Sequence, residues 1–522
     1  MTAKIHLPAR QSPRWAPTPK DATVSVDLLV VTALRTEYGA LFGCSDGVQL
    51  ERCGMGPDAA RRWAQDATAM PTALAVVGVA GALDPAIDAG DVVVATEVRD
   101  ESGRTVLRGA APLVARLRER GLRVHSGPIV SRRHIAGAAG RAELRATGAL
   151  AVDMESAAIV QGWKKRTPTA VVRVVVDTPY KRVLHPATIP NGIRALHTLR
   201  RLVPALREWA ALAGPRRVLL AEPRSFCAGV ERAIDVVERA LRRYSHPVYV
   251  RRQIVHNAHV IADLERRGAV FVDELDQVPD GTTVVFSAHG VGRSVRAEAA
   301  RRGLNVVDAT CPLVAKVHNE AVRFDRRGYT VVLIGHEGHD ETEGTLDELP
   351  SRIQLVEKPQ DVDRVAAPDP DRVAYVTQTT LSVADVEEVA SALRHRFPRV
   401  ETPSSDDICY ATTNRQQAVR AIAAECDVVL VLGSANSSNS LRLVEVAQRC
   451  GTAAHLVEDA TALRPEWLHD ARIVGITAGA SAPPYLVDEV IGTLSELGSV
   501  EISHREVARE NVHFALPKEV AD

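Results

Sequence analysis

Short runs of Val, Leu and Ile, each followed by a stretch of helical period rich in Ala, Arg and Glu, recur along nearly the whole chain. Val26-Asp-Leu-Leu-Val-Val, Ala73-Leu-Ala-Val-Val-Gly, Thr330-Val-Val-Leu-Ile-Gly and Asp427-Val-Val-Leu-Val-Leu-Gly are examples. Runs that are apolar without alternation suit strands buried on both faces, as in parallel sheets covered by crossover helices. The pattern therefore predicts an α/β fold. At 522 residues the chain is too long for one core and predicts two to four domains. A helical pattern over Ile193 to Leu212 closes on the breaker Ala213-Gly-Pro-Arg-Arg, which divides the chain into α/β blocks at 26–213 and 216–522. Residues 1–25, with Pro8, Pro13, Pro17 and Pro19 and no apolar core, read as a disordered arm rather than a signal peptide.

Composition excludes several classes. With 46% hydrophobic and 25% charged residues and a net charge of −1, the chain gives no reason to expect nucleic acid or an anionic membrane as partner. No run is long and apolar enough to span a bilayer. Seven scattered cysteines make no disulfide framework and point to a reducing, cytoplasmic setting.

Three of those cysteines sit where chemistry is expected. Cys227 lies in Pro223-Arg-Ser-Phe-Cys-Ala-Gly-Val-Glu, Cys311 in Val307-Asp-Ala-Thr-Cys-Pro, and Cys409 in Asp406-Asp-Ile-Cys-Tyr-Ala, each just ahead of a helical pattern. A thiol there faces backbone N–H groups and the positive end of a helix dipole, which favour thiolate. Their similar spacing suggests three related α/β units around a centre. Zinc structural sites prefer closely spaced pairs and four ligands, whereas a four-iron cluster on three cysteines keeps one iron open for substrate. Buried structural thiols are the bland alternative. Cys44 and Cys53 have no such context, and Cys426 and Cys450, in helix-like stretches, read as small core residues.

Polar clusters follow most of the second-half strands: Ile254-Val-His256-Asn257, Phe286-Ser-Ala-His289-Gly, Ile334-Gly-His336-Glu-Gly-His339-Asp-Glu341, Val376-Thr-Gln-Thr379-Thr380, Gly433-Ser-Ala-Asn-Ser437-Ser438-Asn439-Ser440 and Thr477-Ala-Gly-Ala-Ser481. Such turns gather at the carboxyl edges of parallel sheets, where α/β proteins bind ligands. Histidines, hydroxyls, amides and backbone N–H groups together suit a diphosphate. His318 and His395 read as solvated or hydrogen-bonded, His336 as a support for its loop, and Ser434 and Ser440 as turn and cap residues.

These phrases, from about Val218 to Lys518, resemble hydroxymethylbutenyl diphosphate reductases, the LytB-type enzymes that end the methylerythritol phosphate route to isoprenoids. The resemblance implies a trefoil of three α/β domains around a [4Fe-4S] cluster held by Cys227, Cys311 and Cys409. It implies diphosphate binding by His256, His289, His339, Ser437, Ser438, Asn439 and Ser481, with Glu341 delivering protons beside Thr379. It also implies release of isopentenyl or dimethylallyl diphosphate, and a ferredoxin or flavodoxin as electron donor, since nothing here resembles a nicotinamide or flavin site. Ser225 departs from the glycine that many relatives place before Phe-Cys, and the small side chain is expected to matter little. An iron–sulfur redox sensor with a non-catalytic nucleoside-binding domain is the competing reading. The complete polar set and Glu341 argue against it.

The first half carries Val30-Val-Thr-Ala-Leu-Arg-Thr-Glu37, Cys53-Gly-Met-Gly-Pro, Val77-Gly-Val-Ala-Gly-Ala-Leu-Asp, Ala151-Val-Asp-Met154-Glu155-Ser and Val172-Arg-Val-Val-Val-Asp177. Their order over about residues 26–200 resembles the nucleoside phosphorylase and nucleosidase superfamily, particularly its hopanoid-associated members. The resemblance implies that Met154 and Glu155 grip ribose, that Asp177 protonates the leaving base, and that Glu37 stands where nucleosidases activate water. Gly81-Ala82 replaces the expected Gly-Gly, and Asp177 is followed by Thr178-Pro179 rather than a small residue. Two readings stay open: an N-ribosyl hydrolase or phosphorylase, or a degenerate domain that binds a nucleoside or docks a partner. Phosphorylase-type domains often pair, which makes a homodimer one option while the oligomeric state stays open.

Overall fold

The computed structural model describes residues 28–42, 48–163, 167–178, 188–245 and 247–521. The expected arm at 1–25 lies outside these residues, as do Cys44 and Pro179.

The first half is built on an eight-stranded mixed sheet. Its order runs Val48–Arg52, Leu28–Thr32, Ala73–Ala82, Ala151–Asp153, Val124–Ser131, Val92–Asp100, Gly103–Val106. The strand Thr169–Asp177 pairs with both Ala73–Ala82 and Val92–Asp100, so the sheet closes on itself through five strands. The unalternating apolar runs are where the sequence pattern requires burial: Leu28–Thr32 is buried at every position.

The second half divides into three sheets, all parallel. One has four strands ordered Ala269–Val272, Val248–Arg251, Thr283–Phe286, Asn305–Asp308, and one has three, ordered Ile353–Val356, Thr330–Ile334, Val373–Thr377. The third has five, ordered Ala453–Val457, Val428–Leu432, Ile473–Ala478, Arg216–Glu222, Val500–Glu506. This last sheet takes one inner strand from the start of the block and the rest from its end. The chain therefore leaves it after Glu222, builds the other two units, and returns.

The two halves share one apolar core. Leu199, Leu202, Leu206 and Trp209 of the helix Thr188–Ala210 lie in the same buried cluster as Leu486, Val490 and Leu494 of the helix Pro484–Leu497. Polar contacts seal the seam. The Trp209 indole N–H donates to Gly109 O (2.7 Å), and Gly109 N–H donates to Glu496 Oε2 (2.7 Å). At the junction Gly214 N–H donates to Leu497 O (3.0 Å). A Cβ on Gly498 would stand 1.9 Å from Gly214 O, so only glycine lets Arg216–Glu222 and Val500–Glu506 start side by side. Gly498→Ala is expected to cost about 1–3 kcal/mol through overpacking against backbone that cannot rotate away, measured by chemical denaturation of the full chain.

Candidate active site

Each of the three cysteines is the N-cap residue of a helix: Cys227 before Ala228–Arg243, Cys311 before Pro312–Arg326 and Cys409 before Tyr410–Ala423. Cys227 and Cys311 follow strands of the five- and four-stranded sheets, and Cys409 follows the last helix of the three-stranded unit. All three line one cavity of about 110 Å³. Gly229 makes the approach of two of them feasible, since a Cβ there would stand 2.8 Å from Cys311 Sγ and 3.8 Å from Cys227 Sγ.

At two of these thiols, Cys311 and Cys409, burial opposes the helix ends. Leu313 and Val314 N–H favour the Cys311 thiolate, yet burial, with the neighbouring Cys227 adding to it, pushes this thiol up to about 11. Burial and Cys227 likewise push Cys409 up to about 12 against the N–H groups of Ala411 and Thr412. At Cys311 and Cys409 the helix N–H groups favour thiolate as expected, and burial outweighs them.

The remaining lining comes from the carboxyl ends of strands, as the sequence pattern predicts. His256 follows Val248–Arg251, His289 follows Thr283–Phe286, His339 and Glu341 follow Thr330–Ile334, and Thr379 follows Val373–Thr377. Ser437, Ser438 and Asn439 follow Val428–Leu432, and Ser481 follows Ile473–Ala478. His256 and His289 stack at 4.0 Å between ring centroids, and His339 meets His256 edge-on at 5.5 Å. Burial lowers all three: His256 against the pull of Asp340, His289 well below its ordinary range with His256 and His339 adding to it, and His339 to about 4.

Glu341 is fully enclosed on the helix Asp340–Glu348, which His339 caps by accepting Glu341 N–H at Nδ1 (3.2 Å). Thr379 N–H donates to Glu341 Oε1 (2.7 Å) and the Thr379 hydroxyl to Oε2 (3.0 Å). These bonds favour the carboxylate, but burial exceeds them, with Asp407 adding to it, and Glu341 is raised to about 7. At neutral pH it can hold or release a proton.

Ser437 caps the helix Ser438–Arg449 by accepting Ser440 N–H (3.3 Å), and its hydroxyl lies 3.5 Å from that of Ser481, which donates to His256 O (3.0 Å). The Ser440 side chain fills the gap between Gly433 and Gly479, where a Cβ on either glycine would collide with its hydroxyl. Ser440, expected as a turn or cap residue, instead fills the space between the two loops, and the cap is Ser437. His336 lies outside the cavity lining, with Nε2 at 2.6 Å from Arg442 Nη2. His318 is buried with Nδ1 3.2 Å from Glu348 Oε1.

The donor set fits an iron–sulfur group beside a phosphorylated ligand. Three thiols face the cavity, and the other described cysteines do not: Cys53 belongs to the first half, Cys426 packs in a core cluster, and Cys450 is exposed. The core expectation for Cys450 is thereby corrected; it is the C-cap of the helix Ser438–Arg449 and faces solvent. Both amide atoms of Asn439 and Nδ1 of His289 are buried in the lining without a hydrogen-bond partner, which marks them as groups awaiting a polar ligand. Asp340 was not foreseen as part of the site. Its Oδ2 lies 3.9 Å from His256 Nε2 and 3.8 Å from His289 Nδ1, while Oδ1 takes Arg252 Nη1 at 2.5 Å.

Ser225 has a consequence that its size conceals. It adopts φ 60°, and its hydroxyl is buried without a partner. Both features favour glycine.

A second cavity, of about 230 Å³, lies in the first half and is lined by Glu37, Met154, Glu155 and Asp177 together with Met55, Arg141 and Asp153. Glu37 accepts N–H groups from Ala33 (3.1 Å), Leu34 (2.8 Å) and Val79 (2.8 Å). Glu155 accepts Gly56 N–H (2.7 Å), and burial raises its carboxyl above the usual range against the pull of Arg173. Asp177, expected as the acid that protonates the leaving base, is paired with Arg141 at 2.5 Å. A Cβ on Gly81 would stand 2.8 Å from Asp177 Oδ1 and 2.9 Å from Arg141 Nη2, so a side chain there would displace that pair. Arg173 escaped the sequence reading although it interrupts a Val run. It pairs with Asp153 at 2.6 Å, both fully buried, and donates to Ser156 Oγ (2.8 Å).

The first cavity, with its thiols, enclosed carboxyl and cradle of histidine and serine, is built as the active site of an enzyme. Residues 218–495 match the family described as LytB protein, and residues 45–206 match the phosphorylase superfamily. The 4-hydroxy-3-methylbut-2-enyl diphosphate reductase of Leifsonia xyli subsp. xyli is 55% identical over 308 residues, 59% of this chain and 91% of that relative. Reductase 1 of Mycobacterium tuberculosis is 57% identical over 311 residues, 59% of this chain and 94% of the relative. The solved structure of the reductase from Plasmodium falciparum aligns over 59% of this chain and 97% of its own at 36% identity and TM-score 0.57. The chain belongs to the LytB family, with a phosphorylase-superfamily region ahead of the LytB region.

Ser225→Gly is expected to raise stability by about 1 kcal/mol through relief of the left-handed backbone, seen as a higher denaturation midpoint with unchanged slope.

Proposed function

We propose that the second half reduces 4-hydroxy-3-methylbut-2-enyl diphosphate to isopentenyl and dimethylallyl diphosphate at a [4Fe-4S] cluster held by Cys227, Cys311 and Cys409. The observation that carries this reading is the enclosed Glu341, raised to about 7, lining the same cavity as the three thiols. When bound, the cluster would relay the two electrons of the reduction one at a time from an external donor and offer an open iron as Lewis acid to the substrate hydroxyl.

The chain's own residues do the rest. His256, His289 and His339 present ring nitrogens to the diphosphate, and Ser437, Ser438, Asn439 and Ser481 present hydroxyls and an amide from helix starts that favour anions. Asn439 and His289, left unpaired in the lining, gain partners when the diphosphate enters. Glu341, oriented by Thr379, supplies a proton to the departing hydroxyl. The balance is two electrons and two protons in, one C–O bond broken, one C–H bond formed and one water released. A ferredoxin or flavodoxin is the proposed donor and the cytoplasm the proposed setting.

Turnover with a low-potential donor should fall as pH rises through about 7, where Glu341 loses its proton. Glu341→Gln should reduce kcat by about 10²- to 10⁴-fold and remove that limb of the profile. A four-iron cluster without turnover would instead favour the redox sensor, and a chain without iron and sulfide would reject the reading.

For the first half we propose a nucleoside site whose ribose end is formed by Glu155 and Met154. The Arg141–Asp177 pair occupies the acid expected to protonate the base, which favours nucleoside binding as the activity to test first. Calorimetric titration of the full chain with adenosine should give saturable binding that weakens about 10- to 100-fold in Glu155→Gln. Absence of heat with the parent chain would reject a nucleoside site.

A further inference from the structure

Each helix that starts at one of the three cysteines carries a basic side chain in its second turn, and each of these donates to the loop ahead of another of the three; Arg415 also donates to Ala411 O (3.0 Å) on its own helix. Arg232, five residues after Cys227, donates from Nη1 to Ala309 O (3.0 Å) and Thr310 O (3.1 Å), the two carbonyls just before Cys311. Lys316, five residues after Cys311, donates from Nζ to Ser405 O (2.8 Å), Asp406 O (2.8 Å) and Asp407 Oδ1 (3.1 Å), in the loop leading to Cys409. Arg415, six residues after Cys409, donates to Ser225 O (2.8 Å from Nη2) and Phe226 O (3.1 Å), the two carbonyls before Cys227.

The links close a circle: the Cys227 helix holds the Cys311 loop, the Cys311 helix holds the Cys409 loop, and the Cys409 helix holds the Cys227 loop. The C-terminal segment braces two of the three cations. Glu510 pairs with Arg415 at 3.1 Å, and Ala515 O accepts Arg232 Nε (2.7 Å). Arg415 is wholly buried, so its guanidinium is retained only because every side of it is partnered. Cation-to-carbonyl bonds are stronger than neutral ones, and each is placed one or two residues from a thiol or, for Lys316, within the turn ahead of it.

We propose that Arg232, Lys316 and Arg415 are positioning residues that form a cyclic clasp setting the spacing of the three thiols, so that no sheet unit assembles the site without the next. Two consequences distinguish this from three independent stabilising contacts. Removing a cation loosens the thiol of the following helix rather than its own. Opening the circle at one link also removes much of what a second link constrains, so the losses are not additive.

This inference rests on the cluster reading above, and the test separates the two. Arg232→Met, Lys316→Met and Arg415→Met are made in the full chain, purified without oxygen, and iron release to a ferrous chelator is timed. Each is expected to release iron about 10- to 100-fold faster than the parent. The Arg232→Met/Lys316→Met double variant should fall well short of the product of the two single effects. In the cluster-free full chain, alkylation read residue by residue by mass spectrometry should rise at Cys311 in Arg232→Met, at Cys409 in Lys316→Met and at Cys227 in Arg415→Met. If Arg415→Met does not fold, Arg415→Lys keeps the charge against Glu510 and loses the fork between the two carbonyls, and takes its place. Unchanged iron release in Arg232→Met and Lys316→Met, or loosening of the thiol on the altered helix itself, would overturn the clasp. A parent chain that holds no iron would overturn the cluster reading and leave the alkylation pattern to decide the clasp.

Discussion

Exclusion of water from the point where three sheets present their carboxyl ends is the constraint on which the second half depends. It holds two of the thiols protonated, with Cys311 near 11 and Cys409 near 12, and it lowers His339 to about 4 while raising Glu341 to about 7. Burial therefore works against charge on Cys311, Cys409 and the three histidines of the lining. Charge has to arrive with what binds there. A metal group supplies the positive charge that thiolates need, and a diphosphate supplies the negative charge that protonated imidazoles need. Each would ease the ionisation that burial resists, so occupancy and protonation are coupled in this cavity.

A site in which burial resists charge on so many groups gains little from long-range attraction in finding its shape. It relies on mechanical placement, which the helix starts provide. Cys227, Cys311, Cys409, His339 and Ser437 are all N-cap residues, where the backbone is extended on one side and helical on the other, and the side chain is fixed at the junction. The cost of such precision is visible at Ser225, held at positive φ two residues before Cys227 while both its carbonyl and its neighbour's are gripped by Arg415.

Much of this was legible in the chain because strand ends and helix starts have local signatures. The apolar runs marked the parallel strands, and the polar phrases after them held most of the cavity's polar lining, with Asn257, His336 and Ser440 of those phrases outside it. What could not be read was partnership. An unalternating strand does not say which neighbour it pairs with, so the return of Val428–Leu432, Ile473–Ala478 and Val500–Glu506 to the sheet begun by Arg216–Glu222 had no signal. Nor does an arginine announce the carbonyl it will hold, which hid Arg232 and Arg415. Asp340 was hidden by standing between two residues with obvious roles. Arg173 was the exception, since a charge inside a buried Val run must have a partner, and Asp153 is that partner. Cys450 misled for the opposite reason: a helical pattern predicts a helix but not which face its last residue shows.

The continuous core between the halves makes their fusion more than a tether. The helix Pro484–Leu497, which the first half packs against through Trp209 and its neighbours, begins three residues after Ser481, a wall of the cavity. Glu496, near its other end, is held by Gly109 N–H of the first half and raised by burial at that seam. Arg464, in the turn before the short helix Pro465–Leu468, pairs with Glu119 of the first half at 3.1 Å. The five-stranded sheet, which carries Cys227, Ser437 and Ser481 on its carboxyl edge, is thus backed by the phosphorylase-type half. A chain in which that half were removed would expose the apolar faces of both helices and free one end of the element that places Ser481. The first half is in this sense part of the scaffold of the second site, whatever ligand its own cavity takes.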